Sequence, residues 1–321
     1  YSFTFDKVFG PDSRQEHVFE EIAALVQSAL DGFRVCIFAY GQTGSGKTYT
    51  MSGPSERPRT GPGPSELEAQ GRGMIPRAVE MIFREKVALE QRGWVYTIRV
   101  SFLEIYNEVL RDLLADSPQD SRKLEIKHVD TGGPRIATVT NLQVLQVETE
   151  TEVAALLERA RVARATASTA NNLLSSRSHS VFTLIVKGRH AATAQECEGA
   201  LNLIDLAGSE RLQTGTGQLH VTGTTVPNAA AEGERLRETQ SINKSLSSLC
   251  DVISSLANKE QHVPFRNSKL TYLLQPCLGG DCKTLMFVNC SPAKLHYQET
   301  LCSLRFASKV SSVELRRRPA D

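Results

Sequence analysis

The 321-residue sequence lacks three features that would each indicate a particular class of protein. It contains no apolar run near the ~20 residues of a membrane-spanning helix. It carries no excess of one charge, since 37 Lys and Arg residues oppose 36 Asp and Glu residues, which excludes a uniformly basic nucleic-acid coat and an acidic disordered tail. Its seven cysteines include no C-x-x-C pair, which favours free thiols in a cytosolic or nuclear protein over a disulfide or zinc framework. We therefore expect a globular protein with neither a membrane nor a nucleic acid as its partner.

The domain organisation follows from the length and from two long glycine-rich stretches. No internal repeat occurs, and residues 54–73 and 214–233 resemble surface loops more than domain linkers. We therefore expect a single domain over residues 1–321. The chain begins with Tyr1 and without a charged-then-apolar leader, so we expect it to be a piece of a longer protein.

The spacing of apolar residues predicts alternating helices and strands. A helix is predicted over residues 15–30, ending at Asp31-Gly32, and a buried strand over residues 35–40. Further strands are predicted at residues 95–103, 180–187, 201–205 and 285–290, and further helices near Pro76 and at about 151–164, 236–257 and 299–310. This alternation predicts an α/β fold.

A glycine-rich loop follows the first predicted strand. Its residues, Gly41, Gln42, Thr43, Gly44, Ser45, Gly46, Lys47 and Thr48, match the G-x-x-x-x-G-K-[ST] pattern. In that pattern the backbone N–H groups surround phosphates, the lysine reaches the terminal phosphates, and the hydroxyl can hold Mg²⁺. The alternative is an accidental glycine turn, but the preceding buried strand favours a nucleotide site.

Two polar segments further along the chain could complete such a site. Asp205 ends the predicted strand at 201–205, where a carboxylate can orient Mg²⁺ through water, and Gly208 can present its N–H to a γ-phosphate. The hydroxyl-rich residues 172–179 include Arg177, which can pair with Glu210. The alternatives are an ordinary Asp that caps the next turn and a solvated serine-rich turn.

The absence of several sequence motifs indicates which nucleotide binds and which reactions are not expected. Guanine selection typically uses N-K-x-D, and neither Asn243-Lys244-Ser245-Leu246 nor Asn258-Lys259-Glu260-Gln261 contains the Asp, so ATP is expected. The H-R-D and D-F-G motifs of protein kinases are also missing. Nothing marks the acceptor pocket that a small-molecule kinase would need.

In their order and spacing, these three segments resemble the kinesin motor domain. The P-loop is residues 41–48, the switch I pattern N-x-x-S-S-R-S-H is residues 172–179, and the switch II pattern D-L-A-G-S-E is residues 205–210. The similarity extends over nearly the whole chain. It implies a central, mostly parallel sheet of about eight strands with helices on both faces, of the P-loop NTPase type, and a microtubule-stimulated ATPase.

The resemblance also implies a role for individual residues. The implied catalytic residues are Ser175, Ser176, Arg177, Gly208 and Glu210, with the Arg177–Glu210 ion pair closing the two switches around the attacking water. The nucleotide-binding residues are those of the P-loop together with Tyr49, which is expected near the adenine, although a plain helix-facing aromatic is an alternative. The implied Mg²⁺ ligands are Thr48, Ser176 and, through water, Asp205.

The implied microtubule contacts are Arg211, Lys244, Arg266 and Lys269, and for each the alternative is a solvated surface charge. The charge distribution supports them, because residues 234–321 carry a net charge of +5, residues 1–233 carry −4, and residues 261–280 contain no acidic side chain. Tubulin is acidic, so a neutral protein can bind it through one positive face.

Residues 27–33 and 304–310 most resemble the C-terminal-motor, minus-end-directed kinesins of the mitotic spindle. We therefore expect an ATP-driven microtubule motor that moves toward minus ends. Its expected location is the cytoskeleton in the cytoplasm, or the nucleus. We expect it to form a homodimer only through an upstream coiled coil. The family's first strand, whose Arg-x-Arg-Pro segment packs against adenine, should precede Tyr1, so we expect weak nucleotide affinity. The alternative is a non-motile microtubule-binding module with impaired ATPase, although the intact switch residues oppose it.

Overall fold

The computed structural model describes residues 1–54, 70–116, 123–129, 136–166, 176–210, 229–280 and 282–313, and for residues 229–241 it describes the backbone. The helices in this part of the chain are α1 (Gln15–Leu30), α2 (Lys47–Ser52), α3 (Met74–Glu90), α4 (Glu150–Thr166), α5 (Ala229–Ala257), α6 (Lys269–Gly279) and α7 (Tyr297–Ser311). The strands are β1 (Arg34–Tyr40), β2 (Trp94–Tyr106), β3 (Val109–Asp112), β4 (Glu125–Val129), β5 (Ile136–Thr140), β6 (Leu145–Val147), β7 (His179–His190), β8 (Glu196–Asp205) and β9 (Lys283–Val288).

Seven of these strands form one mixed sheet. Its order is β3-β2-β7-β8-β1-β9, and β6 pairs with β2. Strand β1 pairs parallel with β8 and with β9, whereas the pairings of β2 and the β7–β8 pairing are antiparallel. Strands β4 and β5 form a separate hairpin sheet. The predicted α/β architecture is confirmed, and its parallel part surrounds the strand that leads into the P-loop.

The sheet is buried on both faces. Alternate residues of β1 point in opposite directions: Val35, Ile37 and Ala39 belong to the core under α1, α3 and α4, whereas Cys36, Phe38 and Tyr40 belong to the core under α5, α6 and α7. A strand with apolar neighbours on both sides needs an uninterrupted apolar sequence, which explains the run at residues 35–40.

Local sequence signals set several helix ends, and those at Gly32 and near Pro76 are as predicted. Helix α1 ends where Gly32 adopts a φ of 93°, and the N–H of Phe33 then donates to the carbonyl of Ser28 at 2.9 Å. Ser268 is the N-cap of helix α6, and its hydroxyl accepts from the N–H of Thr271 at 3.1 Å. Pro76 lies in the first turn of α3, where its missing N–H costs no helical hydrogen bond.

Two general expectations can be compared with this fold. All seven cysteines are free thiols, as predicted. Within the described ranges, no helix has both the length and the hydrophobicity to cross a membrane. The expectations for the two glycine-rich stretches stay predictions, because residues 55–69 and 211–228 lie outside the described residues.

Candidate nucleotide site and switches

The P-loop connects the end of β1 to the start of α2, so the predicted strand, loop and helix are confirmed. The loop passes close to the chain that leaves β9, and a Cβ added at Gly41 would collide with the carbonyl oxygen of Asn289. Gly46 has a φ of 98°, a conformation that other residues rarely adopt. The turn that places Lys47 at the start of α2 therefore depends on glycine at these two positions.

Lys47 is the one buried cation of this loop. Its side chain is 6% exposed, and its ammonium donates to the carbonyl of Gln42 at 2.8 Å. Burial lowers the pKa of Lys47, and the nearby carboxylates of Asp205 and Glu210 oppose that shift. The site thus holds a positive charge next to two acidic side chains from switch II.

Asp205 and Thr48 meet where β8 ends beside the P-loop. The Thr48 hydroxyl donates to Asp205 Oδ2 at 2.6 Å. The second oxygen, Oδ1, is buried and has no hydrogen-bond partner among the described residues. Burial raises the pKa of Asp205, while the Thr48 hydrogen bond, Arg164 and Lys47 act against it. A hydroxyl and an uncommitted carboxylate oxygen are hard oxygen donors, so these residues fit Mg²⁺.

Glu210 contacts the P-loop directly. Its carboxylate accepts from the backbone N–H of Thr43 at 2.8 Å and from the Thr43 hydroxyl at 2.5 Å. This close approach requires Gly208, because a Cβ there would collide with Thr43 Oγ1 and with the Glu210 carboxylate. The ion pair expected between Arg177 and Glu210 is not among the ion pairs of the described residues. Both carboxylate oxygens are instead engaged by Thr43, whose two donors suit them geometrically.

The two switches also contact each other. The N–H of Gly208 donates to the carbonyl of Ser176 at 2.9 Å, and the N–H of Ser209 donates to the carbonyl of Gly41 at 3.0 Å. The P-loop, the end of switch I and the start of switch II are therefore adjacent through backbone hydrogen bonds. Ser175 lies outside the described residues, so its assignment stays a prediction.

Tyr49 lies one residue beyond the P-loop on α2, and its side chain is 52% exposed. Its carbonyl accepts from the side-chain amide of Gln15, which ties α2 to the start of α1. An exposed ring beside the phosphate loop is compatible with stacking on a base, and the adenine contact stays a prediction.

Three of the four predicted basic contacts lie together on the surface. Lys244, Arg266 and Lys269 line one groove with Tyr272 and Glu108. The Arg266 guanidinium lies 5.9 Å from the centre of the Tyr272 ring, and the N–H of Lys269 donates to the Glu108 carboxylate at 2.9 Å. The fourth, Arg211, lies outside the described residues.

A buried ion cluster behind switch I could not be found in the sequence. Glu104 is fully buried on β2, 3.4 Å from Arg164 Nε and 3.7 Å from Arg111 Nη1. Arg164 also donates to the hydroxyl of Ser178 at 3.2 Å. These residues belong to separate elements of the chain and match no short motif, so only the folded structure identifies the cluster. Through the hydrogen bond from Arg164 to Ser178, the cluster contacts the end of switch I.

The buried strand, the glycine loop with Lys47 at its end, and Asp205 at the end of the neighbouring parallel strand define a P-loop nucleoside triphosphatase fold. A family model described as the kinesin motor domain matches residues 1–313. The chain therefore belongs to the kinesin motor-domain family.

Similar proteins point to one group within that family. The chain is 53% identical over 323 residues to kinesin-like protein KIN-14M of Arabidopsis thaliana, an alignment that covers 98% of the chain and 40% of the relative. It is 54% identical over 313 residues to kinesin-like protein KIFC1 of Mus musculus, covering 97% and 43%. The solved C-terminal motor domain of Kar3 from Candida glabrata superposes with a TM-score of 0.75 and 43% identity, covering 98% of this chain and 84% of that one. The predicted resemblance to C-terminal-motor kinesins is confirmed. The chain spans about two fifths of the length of these two kinesin-like relatives.

Proposed function

We propose that this domain is an ATP-driven microtubule motor that hydrolyses Mg-ATP at the P-loop and moves toward microtubule minus ends. The observation that supports this most strongly is the direct contact of the P-loop with both ends of switch II, through Thr48–Asp205 and Thr43–Glu210. Family membership and the similarity to C-terminal-motor kinesins support the microtubule partner and the direction.

Nucleotide binding is supported by the charge of the loop and by the oxygen ligands beside it. Lys47 would neutralise terminal phosphates, and it needs little reorganisation because burial already holds it in place. Thr48 and Asp205, with Ser176, would hold Mg²⁺, which when bound neutralises phosphate charge. The Asp205 carboxylate would act through water, and its Oδ1, which has no hydrogen-bond partner among the described residues, is the oxygen available to accept from that water.

Hydrolysis depends on how the switches are arranged. In reactions of this type the nucleophile is water, so the protein contributes positioning and charge stabilisation. Gly208 would sense the γ-phosphate through the N–H that now donates to Ser176. Glu210 would leave Thr43 and pair with Arg177, closing the switches around the attacking water. The Thr43-bound carboxylate is then the open arrangement of a two-state element.

Microtubule binding is assigned to the groove that contains Lys244, Arg266 and Lys269. These three basic side chains belong to the C-terminal third, which carries the net positive charge of the chain. A positive groove next to an acidic filament attracts it at long range and fixes its register. The cytoskeleton, and for this group the spindle, is the expected location, with dimerisation through a coiled coil outside residues 1–321.

The proposal is tested by steady-state ATPase with and without polymerised tubulin. We expect turnover to rise at saturating microtubules, and Lys47→Ala to abolish nucleotide binding. Lys187→Ala, which changes an exposed lysine of β7 outside both the nucleotide site and the groove, is the matched control and should behave as the unchanged chain. Turnover unaffected by saturating microtubules would reject the motor. Microtubule co-sedimentation without turnover would instead indicate the non-motile binding module.

A further inference from the structure

We propose that His179 and Ser245 form the contact through which the nucleotide switches set the position of α5. They would be positioning residues for microtubule-stimulated turnover, and neither would touch the nucleotide. This inference rests on the proposed motor function and adds to it the residues that transmit the signal.

His179 is the first residue of β7 and the last of the switch I pattern, and it is 2% exposed. Its Nδ1 accepts from the backbone N–H of Ala207 at 3.0 Å, and its Nε2 lies 2.8 Å from the Ser245 hydroxyl. Because Nδ1 accepts, the ring proton is on Nε2 and is donated to Ser245. Burial lowers the pKa of His179 to about 3, with Lys47 and Arg164 adding to the effect, so the ring is neutral.

Ser245 continues the same series of hydrogen bonds on α5. It is 3% exposed, and its hydroxyl donates to the carbonyl of Ile242 at 2.8 Å. The hydroxyl proton is therefore committed within α5, which leaves the oxygen to accept from His179. The hydrogen bonds therefore all run in one direction. Ala207 donates to His179, His179 donates to Ser245, and Ser245 donates to the carbonyl of Ile242.

The two ends of this series lie next to functional groups. Ala207 directly precedes Gly208, whose N–H would report the γ-phosphate. At the other end, Lys244 directly precedes Ser245 and lines the groove assigned to the microtubule. His179 itself is three residues from Ser176 within switch I. One imidazole thus contacts switch I, switch II and the helix of the filament face.

A directional contact matters here because much of the described interface is apolar. Helix α5 packs on the sheet through Leu246, Leu249 and Val252, side chains that can slide without losing a specific partner. The His179–Ser245 hydrogen bond is buried, so displacement of α5 leaves a buried donor unsatisfied. The free-energy cost of leaving one buried donor unsatisfied is as large as the coupling free energy that changes affinity between two sites by roughly 5- to 150-fold.

The test compares Ser245→Ala with Ser248→Ala in the 321-residue chain. Both serines lie on α5 and both are buried, at 3% and 4% exposure, so the two changes remove the same atom at similar burial. We measure basal ATPase, nucleotide affinity, thermal unfolding and ATPase at saturating microtubules. Ser245→Ala should lower microtubule-stimulated turnover at least about fivefold with basal turnover and nucleotide affinity unchanged. Ser248→Ala should keep full stimulation.

Two substitutions of His179 separate the hydrogen bonds and cover the case in which Ser245→Ala unfolds. In His179→Gln the amide nitrogen can replace Nε2 and donate to Ser245, whereas in His179→Asn the amide oxygen can replace Nδ1 and accept only from Ala207. Stimulation should be retained better in the Gln variant than in the Asn variant, because the contact with α5 survives only there. If His179 had only a structural role, the microtubule stimulation of each variant would fall in proportion to its loss of thermal stability.

Equal stimulation of Ser245→Ala and Ser248→Ala would overturn the inference, and so would equal stimulation of the two His179 variants. If the unchanged chain is stimulated by microtubules while these pairs do not differ, the motor function stands and only this coupling fails. If the unchanged chain is not stimulated at all, the proposed function and this inference both fail.

Discussion

The buried carboxylate of Glu104 allows a quantitative test of the packing behind switch I. Glu104→Gln keeps the shape of the side chain and removes its charge. The guanidinium of Arg164, 14% exposed and 3.4 Å away, would then lose its buried counter-charge. Arg164 also donates to Ser178, so the effect should extend to switch I.

The size of the effect follows from the burial of the three partners. Removing one member of a buried ion pair costs about 3–5 kcal/mol of unfolding free energy. Arg111 is 40% exposed and can be solvated, so we take the lower end, about 3 kcal/mol. Since one kcal/mol shifts the melting temperature of a large domain by about 2 °C, Glu104→Gln should melt about 6 °C lower.

The assay is thermal unfolding followed by circular dichroism, with Glu196→Gln as the matched control. Glu196 also has two cationic neighbours, Lys187 at 3.8 Å and Arg189 at 3.9 Å, but it is 55% exposed. Exposed pairs contribute about 0–1 kcal/mol, so its melting temperature should fall by less than about 2 °C. Equal shifts in the two variants would refute the argument that burial makes the Glu104 cluster costly to break.

Three further outcomes follow from the same structure. Glu210→Ala should leave nucleotide affinity intact and stop phosphate release in a single-turnover assay, and unchanged turnover would disprove the switch-closure role. Combined Arg266→Ala and Lys269→Ala should weaken microtubule co-sedimentation most at low salt, because screening already suppresses long-range attraction at high salt; a salt dependence equal to that of the unchanged chain would contradict the groove. The pKa of His179 is about 3 in the folded protein and about 6.5 when unfolded, so between these values the unfolded chain binds more protons. The unfolding free energy should therefore fall as the pH drops through this window, by up to about 1.4 kcal/mol per pH unit from this residue. Urea titrations at several pH values measure this dependence. If the unfolding free energy of His179→Gln depends on pH as steeply as that of the unchanged chain, the prediction is wrong.

Much of the fold was predictable because its signals are local. The run at residues 35–40 is apolar throughout because β1 is covered on both faces, and the Asp31-Gly32 end of α1 needs only the conformational freedom of glycine. The P-loop was predictable for the same reason, since Gly41, Gly46 and Lys47 act within one turn of chain. Strand order and the direction of each pairing carry no such local signal.

The partners of the switch residues were harder to predict. The sequence motifs suggested Arg177 as the partner of Glu210, and the structure pairs Glu210 with Thr43. Both partners are chemically reasonable for a carboxylate, and the choice depends on where β1 and β8 place the ends of their loops. The hydrogen bond from His179 to Ser245 was likewise outside the reach of sequence reasoning, because it joins a strand and a helix whose contacting residues are 66 positions apart in the chain.

The sequence alone therefore determined the chemistry available to this protein: a phosphate-binding loop, two switch motifs, a basic C-terminal third and the kinesin family. Those properties reside in short stretches whose residue types and spacing act locally. Only the tertiary structure decided which groups meet, including Glu210 with Thr43, the buried Glu104 with Arg164, and His179 with Ser245. Such contacts depend on sheet order and register, which position residues far apart in the chain within hydrogen-bond distance, and no local pattern encodes that arrangement.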